Sequence, residues 1–73
     1  MDIVVTDNKF LRQFEVDING GLAKIEYSEQ ERKIFLTKLI IPETVEDKNF
    51  QDDFIKEVLS IIEDRNKSFL KEY

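Results

Sequence analysis

Among its 73 residues the chain has no cysteine and no histidine, and only one proline and two glycines. Without cysteine there is neither a disulfide nor a thiol nucleophile. Without either residue almost all zinc chemistry is excluded. Acid–base work would fall to Asp, Glu, Lys or Tyr, which are less suited to it near neutral pH than imidazole. No apolar run approaches the roughly 20 residues that a membrane-spanning helix needs. The start, "MDIVVTDNKF", lacks the basic opening and longer apolar region of a secretory signal, so a cytoplasmic location without a membrane partner is expected. Eleven basic residues against sixteen acidic ones give a net charge of −5. That balance argues against a nucleic-acid partner, because phosphate backbones are bound by clustered Lys and Arg.

What is present reads as one small globular domain spanning 1–73. A hydrophobic content of 41% is too high for a disordered chain, so a packed core is expected near the lower size limit for folding without staples. In "FLRQFEVDI", Phe10, Phe14, Val16 and Ile18 alternate with Gln13, Glu15 and Asp17, and Arg12 is the exception on the apolar face. A period of two indicates a strand with one buried face. Asn19-Gly20 suits the positive φ angles of a tight hairpin turn. "LAKIEYS" then puts Ala23, Ile25 and Tyr27 on one face, and "EQER" reads as a polar connector. "KIFLTKLII" is apolar almost throughout, as a strand covered on both faces would be, and Pro42 ends it because proline cannot donate to the ladder.

The remainder reads as a helix. Phe54, Ile55, Val58, Leu59, Ile61 and Ile62 recur at helical spacing with charged residues between them. Asn49 with Asp52 suggests a capping-box-like start, and Asp52 and Asp53 complement the macrodipole. Asn66 marks an end, although Phe69 and Tyr73 at i, i+4 would also allow the helix to continue. The pattern therefore predicts an α+β domain. A three-stranded antiparallel meander (about 9–18, 22–28 and 33–41) packs on one main helix (about 50–66), and residues 67–73 are left open between strand, helix and tail.

The order of hairpin, long strand, Pro-Glu and amphipathic helix resembles the small single-domain GCN5-related N-acetyltransferase-like (GNAT-like) proteins. Their pattern is a strand ending H-T-x-V-P, three further residues, R-G-x-G-I-[GA], then the main helix. Without gaps, "KLIIPETVEDKNFQDDFIKEVL" matches it at Ile41-Pro42-Glu43, at Val45, and at Phe50, Phe54, Ile55, Val58 and Leu59. The similarity runs over about 9–66. It implies a truncated acetyltransferase-like fold, acetyl transfer to an amine, and acetyl-CoA as cofactor. By position, the cofactor-binding residues would be Ile40, Ile41, Glu46, Asp47, Lys48, Asn49, Phe50 and Gln51. The family's next strand, which carries a cysteine, and its last helix would have to be missing or collapsed into "KSFLKEY".

The residues at those positions are not the family's. Glu46 stands at its arginine, Asp47 and Asn49 at two of its glycines, and Gln51 at its small residue. No His or Thr precedes the Ile-Pro, where Lys38, Leu39 and Ile40 stand instead. Glycine permits close approach of backbone N–H groups to a pyrophosphate, and side chains would crowd it. From Glu43 to Asp53 five carboxylates face one lysine, so a polyanionic cofactor meets like charge. Weak or absent acetyl transfer is the expectation. The same acidic residues read first as a plain, well-capped helix start. They lack the glycine-centred spacing of a calcium loop, so no metal is expected. Acetyltransferases of this class sometimes use tyrosine as general acid, which makes Tyr27 and Tyr73 the residues to consider. Tyr27 on its apolar strand face reads as core, however, and Tyr73 has no assignable role. The alternative function is a non-catalytic interaction module, homodimeric through a sheet edge that would otherwise stay unpaired.

Overall fold

The computed structural model describes residues 3–73. Its order is β1 (Thr6–Asn8), β2 (Gln13–Ile18), β3 (Gly21–Gln30), β4 (Lys33–Ile40), α1 (Phe50–Asp64) and β5 (Ser68–Lys71). The five strands form one sheet in sequential order. β1 to β4 are antiparallel, and β5 lies parallel to β4 after the α1 crossover. The expected α+β class and the antiparallel meander are present, with one more strand at each side.

The expected first strand, 9–18, is instead a hairpin. Residues 9–12 turn between β1 and β2, with Asn8 Oδ1 accepting the Leu11 N–H at 3.0 Å. Arg12 has φ +54°, which a strand residue cannot hold. Phe10, expected on the buried face, is 94% exposed. Alternation alone cannot show a turn whose own residues happen to keep the apolar phase. The other hairpin is as expected. Asn19 and Gly20 have φ +50° and +76°, both positive as a type I′ turn requires. "EQER" is not a connector, because β3 runs through Gln30 and only Glu31 and Arg32 lie outside the ladder.

The apolar run of β4 is not covered on both faces. Tyr27 pairs with Leu36 and Glu26 with Lys38, so Thr37 is an extra residue in the ladder. A bulge of this kind shifts the alternation by one. Ile34 and Leu36 face the helix before it, and Leu39 and Ile41 pack on the core after it. Two half-buried phases joined end to end mimic a continuous apolar strand.

One face of the sheet and one stripe of α1 make the core. Phe50, Phe54, Val58 and Ile62, at four-residue intervals, are fully buried against Phe14, Ile25, Ile34 and Leu36. The opposite sheet face carries Glu15, Asp17, Lys24, Glu26 and Lys38 with Phe35 and the half-exposed Leu22 and Leu70. The helix ends at Asp64, two residues short of the expected limit, in a Schellman motif. The Lys67 N–H reaches the Ile62 carbonyl at 3.3 Å and Asn66 that of Glu63 at 2.9 Å. Asn66 supplies the left-handed residue at φ +57°, and this geometry turns the chain into β5. "KSFLKEY" is therefore the strand that follows the helix, with Phe69 on the core side. No helix among the described residues is long and apolar enough to cross a membrane.

Candidate functional site

The structure presents two groups of polar residues, one at each end of α1. At the N-terminal end, 41–49 carries the chain from β4 into the helix. This loop is held from the side by the β2–β3 turn. Asn19 Nδ2 donates to the Thr44 carbonyl at 3.3 Å, and a Cβ on Gly21 would sit 2.9 Å from two atoms of the Pro42 ring. Gly21 is thus needed for close approach rather than for its φ.

The residues aligned with the family's cofactor loop separate in space by burial. Glu46, Asp47, Lys48, Asn49 and Gln51 are exposed, whereas Ile40 and Ile41 are half-buried at the end of β4. Phe50 has no exposed surface and lies in the core. The expected Asn49 cap does not form, because Asn49 is in the right-handed helical region and its side chain makes no capping bond. Asp47 does that work. Its Oδ1 accepts the Asn49 N–H at 2.8 Å and its carbonyl accepts the Phe50 N–H at 3.2 Å. The Asp53 backbone N–H donates to the Asn49 carbonyl at 3.0 Å. The Gln51 and Asp52 N–H groups are left without an acceptor among the described residues. Those two donors are an anion-directed feature, but Asp47, Asp52 and Asp53 surround them with negative charge. Among the described residues no trio of carboxylates is placed to hold a metal ion.

Beside this loop, β4 bulges at Thr37, where its pairing with β5 stops. The last parallel pair is Leu36 with Lys71, and the Glu72 N–H reaches the Leu36 carbonyl at 2.8 Å. Residues 37–40 continue without a β5 partner towards the start of α1. Thr37 Oγ1 bonds back to the Glu26 carbonyl at 3.2 Å.

The C-terminal end of α1 holds a cluster that strand alternation does not disclose. Tyr27 OH donates to Asp7 Oδ1 at 2.7 Å. Asp7 Oδ2 faces Arg65 Nη2 at 2.8 Å without a well-aligned hydrogen bond. Arg65 also lies 5.9 Å from the Phe14 ring centroid, and Phe14 packs on Tyr27 at 4.9 Å. Burial, then the hydrogen bond to Asp7 and its charge, push the Tyr27 hydroxyl up to about 12. A phenol so placed keeps its proton and gives its hydrogen bond to Asp7, so Tyr27 is a core residue with a polar tip rather than a general acid. Tyr73 is 44% exposed and burial raises its hydroxyl too, which leaves it no better an acid.

Around this cluster lies a groove of about 450 Å³. Lys9, Arg12, Arg65 and Lys67 line it together with Asp7, Glu29 and Tyr27, and Lys67 is ion-paired to Glu29. The one signal of it in the sequence is Arg12, the basic residue on what reads as an apolar strand face. Asp7 and Arg65 are far from each other in sequence and had none. Comparison of the chain with known protein families, with curated proteins and with solved structures finds no match.

Proposed function

We propose that the chain is an N-acetyltransferase-like domain that still binds acetyl-CoA, though weakly, with weak or no acetyl transfer. The observation that carries this reading is the β4–α1–β5 unit. A long antiparallel meander ends in β4, which turns at Pro42 into the main helix, and the chain returns as β5 parallel to β4. Residues 37–40, running on past the β5 pairing, together with the Gln51 and Asp52 N–H groups, would frame the cofactor. The transfer would pass the acetyl group from the thioester to a substrate amine and release the CoA thiol. The polar residues oppose that role, since Glu46, Asp47, Asp52 and Asp53 repel a pyrophosphate.

Titration of acetyl-CoA followed by NMR tests the reading. Weak shifts over 40–53 at millimolar ligand are expected, and no shift there overturns it. Glu46→Arg with Asp47→Gly and Asn49→Gly should tighten binding if the frame is retained. The Asp47 change also removes the helix cap, so its stability is measured alongside.

A second reading, a non-catalytic interaction module that pairs as a homodimer, is favoured by the outer edge of β5. Its partner strand β4 lies on one side only, and Leu70 and Tyr73 are 48% and 44% exposed. Unpaired edges of this kind are extended by other chains. A monomer at all concentrations in sedimentation velocity would rule it out.

A further inference from the structure

We propose that the groove at the C-terminal end of α1 binds a phosphate monoester, at a site separate from the loop that precedes the helix. Four cationic side chains line the groove against two carboxylates, a local surplus of two positive charges in a chain whose net charge is −5. Both carboxylates are already engaged, Asp7 by Tyr27 and Arg65, and Glu29 by Lys67. Lys9 and Arg12 have no carboxylate within ion-pair distance among the described residues. Arg65 directs one nitrogen at Asp7 and keeps other N–H donors of its planar fork.

The donors come from two segments that meet at the groove, the 9–12 turn and the 65–67 connection between α1 and β5. A tetrahedral dianion offers oxygens in several directions and matches that arrangement better than a planar carboxylate. The groove volume exceeds one phosphate group and leaves room for the moiety esterified to it. The frame is fixed. Tyr27 N–H donates to the Arg12 carbonyl at 2.9 Å, and Asn8 closes the turn. Arg12 is thereby held at φ +54°, a backbone that Asn or Gly would adopt with less strain. Glu31 shares that strain, so strain alone does not single Arg12 out. Its place among three other cations does.

The test is an NMR titration of the intact chain with inorganic phosphate and with methyl phosphate, at ionic strength held constant with chloride. Saturable shifts at Asp7 to Arg12, Tyr27 to Glu29 and Arg65 to Lys67 are expected. Lys9→Gln with Arg12→Asn should weaken binding by about tenfold or more, while the Asn leaves Tm unchanged or higher. Methyl phosphate binding at least as tightly as inorganic phosphate is expected for an ester site, and binding of inorganic phosphate alone overturns the proposal. Absent or non-saturating shifts, shifts confined to Gln51 and Asp52, or an undiminished affinity in the double variant would each overturn the proposal.

Discussion

At the scale of single residues, Tyr27 and Asn66 show what a side chain does beyond its hydropathy. Tyr27→Phe keeps the ring against Phe14 but leaves Asp7 Oδ1 without its donor. A buried acceptor left unsatisfied costs about 1–3 kcal/mol, which urea denaturation at neutral pH should read. The raised Tyr27 pKa adds a pH signature. The folded state favours the protonated phenol, so its contribution is complete below the unfolded value near 10 and is lost as pH rises towards about 12. Stability should therefore fall across that window in the parent chain, and this component should be missing in Tyr27→Phe. Asn66 holds the left-handed position of the helix end. Asn66→Ala should cost about 1 kcal/mol, whereas Asn66→Gly should be close to neutral. Tyr27 was legible as a core residue from alternation, but its partner was not. Asp7 lies on a strand too short to show a period.

At the scale of elements, the helix and the two hairpins follow different rules of legibility. Fully buried Phe50, Phe54, Val58 and Ile62 repeat on one helix face, and α1 is plain in the sequence for that reason. Truncating its central anchor, Phe54→Ala, should cost about 3–5 kcal/mol. That loss is comparable with the whole stability of a small domain, so the variant should be largely unfolded by circular dichroism. Strands β1 and β4 were harder to read, because Phe10 in the 9–12 turn keeps the apolar phase of β2 and the bulge at Thr37 shifts phase within an apolar stretch. The β2–β3 turn was legible from Asn19-Gly20, although the reason for Gly21 lay elsewhere in the chain. Gly21→Ala would drive a Cβ into the Pro42 ring, and the rigid ring cannot swing aside. A loss of about 1–3 kcal/mol is expected, with amide shifts propagating to Thr44 and the loop it holds.

At the scale of the whole molecule, both end turns of α1 are acidic, Asp52 and Asp53 in the first and Glu63 and Asp64 in the last, with no cation in the last turn. Asp47, Asp52 and Asp53 gather at its start, while Arg65 and Lys67 lie just beyond its end. Each set opposes the helix dipole at its own terminus. The loop before the helix is acidic and the groove just beyond it is cationic, some 22 Å apart by the length of a 15-residue helix. The core is small and is built on one sheet face only, so association would add to its stability. If β5 pairs between copies, Tm should rise with protein concentration. Leu70→Lys should remove that dependence without unfolding the monomer, as scanning calorimetry at several concentrations would show.

The sequence by itself determined the class, the meander and the main helix, since these rest on local periods of two and 3.6 that burial enforces along a continuous segment. It also determined that the loop before the helix is acidic, since charge needs no fold to be read. Only the tertiary structure decided that 68–71 pairs in parallel with β4, because four residues carry no period and their partner lies across a crossover. It alone brought Asp7, Arg12, Tyr27 and Arg65 together, from two strands, a turn and a helix end. Proximity between residues so far apart in sequence is set by how the elements pack, and no local pattern encodes it.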